Sequence, residues 1–103
     1  FSPPDLVAAA LPACMLTIMG IVAERHGLRL EGMTAVTQKE MATDGVRRIR
    51  SLRTRITVPL AADHPQADAL QRAAHTCPVH KSLASEVDAP IEFTWAGAAA
   101  AVR

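Results

Sequence analysis

Two cysteines, Cys14 and Cys77, are the side chains in this 103-residue chain best suited to nucleophilic or redox chemistry. A thiol reacts as its thiolate, so its surroundings decide whether it is reactive or inert. Cys14 sits within the uncharged stretch Leu6 to Ala23 (LVAAALPACMLTIMGIVA), where apolar packing favours the neutral thiol unless a cation is brought to it. Cys77 immediately precedes Pro78, at the start of a short helix whose dipole favours negative charge. Residue logic alone therefore makes Cys77 the more acidic thiol. For either one, the plain alternative is a small buried hydrophobe.

His75 and His80 flank Cys77 in the run HTCPVH, and with Cys14 they include ligand types for zinc or copper. Their spacing matches no common structural zinc pattern, and a helix break falls between them, so no metal and no cofactor is expected. His26 and His64 read as cap or loop residues. Paired carboxylates, a phosphate-cradling glycine loop and a nucleophile elbow are missing from the sequence.

The elements that must hold these thiols follow from the pattern. Ser2-Pro3-Pro4-Asp5 is a helix start, with Ser2 as N-cap, Asp5 completing a capping box and two prolines in the first turn. Arg25 and His26 suit the helix C-terminus and Gly27 suits the C′ position, while Pro12 is expected to bend the helix. By three/four spacing Cys14 shares a face with Val7, Ala10, Leu11, Thr17, Ile18 and Ile21. The other faces are apolar too, so the helix requires neighbours nearly all round. Eighteen uncharged residues approach the length of a membrane span, but the alanine-rich composition, Pro12 and the ordinary soluble pattern downstream favour a buried central helix. No basic region precedes the stretch, so it does not read as a signal peptide.

Beyond it, Leu28 to Met41 alternates polar and apolar residues, which predicts a half-buried strand interrupted near Gly32. Asp44-Gly45 marks a hairpin turn, and Val46 to Leu60 reads as a second strand with Leu52, Ile56, Val58 and Leu60 on one face. Arg53 and Arg55 fall opposite, as part of a solvated sheet face. Asp63-His64-Pro65-Gln66 predicts a capped short helix whose Ala67, Leu70, Ala74 and Cys77 share one side. Cys77-Pro78 breaks it, a further helix is expected from Pro78 to Glu86, and Ile91 to Trp95 forms a last strand. Residues 1–95 thus make a single domain, and 96–103 a loose tail.

Composition narrows the function. A net charge of +1 asks for no polyanionic partner, and with so few aromatics for stacking no nucleic-acid role is expected. Two cysteines are too few for a secreted disulfide scaffold, which points to a reducing, cytoplasmic setting, and the reading of Leu6 to Ala23 as a buried helix leaves no membrane partner expected.

SPPDLVAAALPAC on a long helix, two long strands, then a short helix running into TCPVHKSL resembles the OsmC/Ohr superfamily, the osmotically inducible and organic hydroperoxide resistance proteins. The resemblance runs from Ser2 to about Trp95 and rests on Cys14 and Cys77-Pro78-Val79 in this order and at this separation. It implies an α+β fold, with a long central helix packed against antiparallel sheet in an intertwined homodimer. It also implies an antioxidant, stress-response peroxidase. In such proteins the helix cysteine, here Cys14, attacks an organic hydroperoxide or hydrogen peroxide and becomes a sulfenic acid. The second, here Cys77, condenses with it to a redox-active disulfide that a dithiol reductant reopens. Two departures stand out. The family's peroxidases carry a glutamate where this chain has Pro4, with Asp5 one step later, and their activating arginine comes from an N-terminal strand ahead of Phe1. A non-catalytic member binding a small apolar ligand at the dimer interface is the alternative.

Overall fold

A computed structural model of the chain describes residues 2–97, so the tail beyond Gly97 lies outside the described residues. The long helix α1 spans Pro3–Arg25, β1 Thr34–Met41, β2 Ile49–Val58, α2 Ala67–His75, α3 Pro78–Lys81 and β3 Ile91–Trp95. The expected capping box forms: Asp5 N–H donates to Ser2 Oγ and Ser2 N–H to Asp5 Oδ2, both at 3.3 Å. At the other end Leu28 N–H reaches Ala23 O at 2.9 Å and Gly27 N–H reaches Glu24 O at 3.1 Å. These two bonds make a Schellman motif, and Gly27 supplies its left-handed residue at φ 68°. Pro12 withholds one hydrogen bond without ending the helix.

The strands form one sheet in the order β1-β2-β3. β1 and β2 are an antiparallel hairpin, with Thr34 opposite Thr57, Thr37 opposite Thr54 and a bulge between Glu40 and Met41. The first strand starts at Thr34 rather than Leu28, because Leu28–Met33 turns through Gly32 at φ 87°. β3 pairs parallel to β2, with Ile56 beside Phe93, so the sheet is mixed where it was expected to be antiparallel throughout. The connection explains this. The chain leaves the end of β2, crosses the core as α2 and α3, and returns to run beside β2 in its own direction.

Leu52, Thr54, Ile56 and Val58 point from β2 into the core and are fully buried, whereas Arg53 and Arg55 face solvent as their phase requires. Against them α1 lays Leu11, Met15, Met19 and Ala23, an i, i+4 stripe, and α2 adds Leu70, Ala73 and Ala74. Among the described residues α1 is covered on that side and not all round. Leu6, Ala10, Ala13, Thr17 and Ile21 remain exposed, and the Thr17 hydroxyl turns back to Ala13 O at 2.8 Å, so the bare face is apolar. By length and composition α1 is also long and apolar enough to cross a membrane.

Two local expectations are corrected. α2 begins one residue after Gln66 with no side-chain cap, since His64 Nδ1 accepts the Gln66 N–H at 3.0 Å and Asp63 is left out. The helix after Cys77 closes at Lys81, not Glu86: Ser82 hydroxyl bonds back to Pro78 O at 2.8 Å and the chain then turns toward β3.

Candidate active site

Cys14 and Cys77 come from opposite ends of the sequence and meet where α1 packs against α2 and α3. Cys14, half-buried in mid-helix, lies against the core cluster that contains Cys77. Cys77 is fully buried on the same side of α2 as Ala67, Leu70 and Ala74, as the spacing required. It leaves the helical region at ψ 142° because Pro78 follows it, and it serves as N-cap of α3, its Sγ accepting the His80 N–H at 3.3 Å. Both cysteines are free thiols.

The expected acidification of Cys77 by the helix that follows it is corrected here. Burial pushes the Cys77 thiol above its ordinary value; the His80 N–H on its sulfur opposes that, and the adjacent Cys14 side chain adds to it. A four-residue helix provides too few aligned peptides to offset the loss of water. The upward push from Cys14 has a chemical meaning as well. Two neighbouring thiols resist sharing negative charge.

The histidines near Cys77 do different work from ligands. His80 Nε2 lies 3.0 Å from Ala89 O, and a carbonyl only accepts, so Nε2 carries the proton. His75 meets His80 edge-on at 6.1 Å between ring centroids and tilts over Phe93 at 6.2 Å, with Trp95 stacked on Phe93 at 5.9 Å. Among the described residues, no three His, Cys, Asp or Glu side chains gather as metal ligands.

Asp5, the nearest acidic residue to the position expected to hold glutamate, is committed elsewhere. Its Oδ1 lies 2.6 Å from Lys39 Nζ and its Oδ2 accepts from Ser2. Nine residues separate it from Cys14, which on a helix is half a turn out of phase and about 13 Å along the axis. The Lys39 contact had a readable signal: Lys39 shares the inward phase of Ala35, Thr37 and Met41. Two surface hollows, of about 540 Å³ beside Gln38, Ser51 and Arg53 and about 510 Å³ beside Gly20, Gly27 and Met33, are lined by neither cysteine.

A family model for OsmC-like protein matches residues 1–92. Among solved structures, a protein from Psychrobacter arcticus 273-4 described as an osmotic stress induced and detoxification response protein superposes with a TM-score of 0.81 at 36% identity, over 90% of this chain and 67% of that one. The organic hydroperoxide resistance protein OhrB of Bacillus subtilis superposes with a TM-score of 0.73 at 25% identity, over 90% and 70%. An organic hydroperoxide resistance protein OsmC from Legionella pneumophila shares the fold at 20% identity, with a TM-score of 0.72 over 90% and 69%. No curated protein sequence matches the chain. From helix cap to last strand, the arrangement and the match agree: this chain belongs to the OsmC-like family.

Proposed function

We propose that this protein is a thiol peroxidase that reduces organic hydroperoxides or hydrogen peroxide through Cys14 and Cys77. The observation that carries the reading is the convergence of the only two thiols, a half-buried one on α1 beside a buried one at the α2–α3 break. The Cys14 thiolate attacks the distal peroxide oxygen, the O–O bond breaks, and the alcohol leaves with a proton while the sulfur becomes a sulfenic acid. The Cys77 thiol then attacks that sulfur; the S–S bond forms, the S–O bond breaks, and water departs. A dithiol reductant supplies two electrons and two protons to restore both thiols. The named functions of the Bacillus and Legionella relatives support the reaction class.

The bare apolar face of α1 supports a homodimer in which a second copy covers Leu6, Ala10, Ala13 and Ile21 and walls the thiols off from bulk water. A reducing cytoplasmic setting matches two unpaired cysteines. The test is to treat the reduced protein with one equivalent of cumene hydroperoxide and map the thiols by mass spectrometry. A Cys14–Cys77 disulfide, formed through a trappable sulfenic acid, is expected; free thiols alongside surviving peroxide would refute the reading.

The same apolar face favours a second reading, a non-catalytic member that binds a small apolar ligand between subunits. Ligand-induced thermal stabilisation that survives Cys14→Ser supports it, and stabilisation lost with that change counts against it.

A further inference from the structure

His80 touches both the reactive sulfur region and the sheet. Its backbone N–H donates to Cys77 Sγ at 3.3 Å, while its ring Nε2–H donates to Ala89 O at 3.0 Å. Ala89 is not a loose anchor. Its neighbours are hydrogen-bonded to β2: Leu52 N–H reaches Asp88 O at 2.8 Å, Asp88 N–H reaches Arg50 O at 2.9 Å and Thr54 N–H reaches Pro90 O at 3.0 Å. Ala89 O, between these bonded neighbours, is the one the imidazole takes. α3 itself is a single turn with no fully buried residue, held to the core by the half-buried Val79. The His80 ring adds a polar tie from that turn to the Asp88–Pro90 segment.

We propose that His80 is a positioning residue for the thiol pair: by bracing α3 against the Asp88–Pro90 segment, its ring keeps the His80 N–H on Cys77 Sγ and that sulfur beside Cys14. The inference rests on the assignment of Cys77 as the partner of Cys14, but not on peroxide chemistry, and its test avoids peroxide.

Wild type, His80→Ala and His80→Gln are each equilibrated in mixtures of reduced and oxidised glutathione, and the Cys14–Cys77 disulfide is quantified by mass spectrometry. Here oxidised glutathione takes the two electrons, and the equilibrium constant measures how well the fold presents one thiol to the other. His80→Ala is expected to lower that constant about tenfold, the loss of roughly one hydrogen bond. His80→Gln, whose side-chain amide nitrogen reaches the place of Nε2, is expected to restore most of it. In a Cys14→Ser background, the pH profile of Cys77 alkylation is expected to move up in His80→Ala and not in His80→Gln, a change that loss of stability alone does not produce. If His80→Ala fails to fold, His80→Phe, which keeps the ring and removes the donor, takes its place. An unchanged equilibrium constant in the donor-less variant, or a wild type that forms no disulfide in oxidised glutathione, overturns the proposal. A wild type that closes the disulfide in glutathione but ignores hydroperoxide would sink the peroxidase reading and leave this one standing.

Discussion

Lys39 reaches inward from β1 and sets its ammonium 2.6 Å from the Asp5 carboxylate, tying the first turn of α1 to the edge strand of the sheet. An inward-pointing lysine on an edge strand also discourages pairing with a stray strand, and here the charge is matched rather than stranded. The Lys39 ammonium, with Ser2 assisting, pulls the Asp5 pKa from 3.8 to about 2.

The sign of the pH effect follows from that depression. The contribution of the pair is fully present above the unfolded carboxylate value and disappears as pH falls through about 2. Lys39→Met is expected to return the Asp5 midpoint, followed by carboxyl NMR, most of the way to 3.8, and to flatten the acid limb of the stability curve. A midpoint that stays near 2 would show that Ser2 alone holds the charge.

Thr54 is a fully buried polar side chain of the core, and its hydroxyl lies 2.8 Å from that of Thr37 across the β1–β2 pair. Thr37→Val leaves the Thr54 hydroxyl with no partner inside the sheet–helix layer and is expected to cost about 1–3 kcal/mol in urea unfolding. The double variant Thr37→Val, Thr54→Val removes both polar groups at nearly constant shape. It is expected to be more stable than Thr37→Val alone; additive losses would contradict the pairing.

Met15 and Ile21 separate the two sides of α1. Met15→Ala opens a hole among Leu11, Met19 and the β2 core and is expected to cost about 2–5 kcal/mol. Ile21, 45% exposed, is not part of that core cluster among the described residues. Ile21→Glu is therefore expected to leave a folded protein while halving its mass in sedimentation, if a second copy covers that face. A wild type that sediments as a monomer would remove the dimer from the proposal.

Thiol accessibility gives a further check. Alkylation at pH 8 is expected to label half-buried Cys14 well before Cys77, which burial protects in two ways, by excluding the reagent and by holding the thiol neutral. The reverse order, read by mass spectrometry of partially labelled protein, would contradict the environment described for Cys77. Because folding raises the Cys77 pKa, its contribution to stability is present below the unfolded thiol value and falls away as pH rises through the folded one.

What the residues determined alone was local and covalent in its logic. Ser2, the two prolines and Asp5 start a helix, Gly27 ends it, the two-residue period of Leu52–Val58 assigns a buried and a solvated face, and Cys77-Pro78 breaks a helix at one residue. Each of these depends on neighbours within a turn or two, so sequence order is enough to read them, and the order of the two thiol motifs was enough to suggest the family. Tertiary structure decided the rest. The return path through α2 and α3 made β3 parallel, dense packing around Cys77 outweighed the short helix that was expected to acidify it, and folding brought Lys39 to Asp5 and the His80 ring to Ala89. Those outcomes turn on burial and on which surfaces meet across the core. Desolvation is a property of everything packed around a group, and no spacing along the chain encodes it.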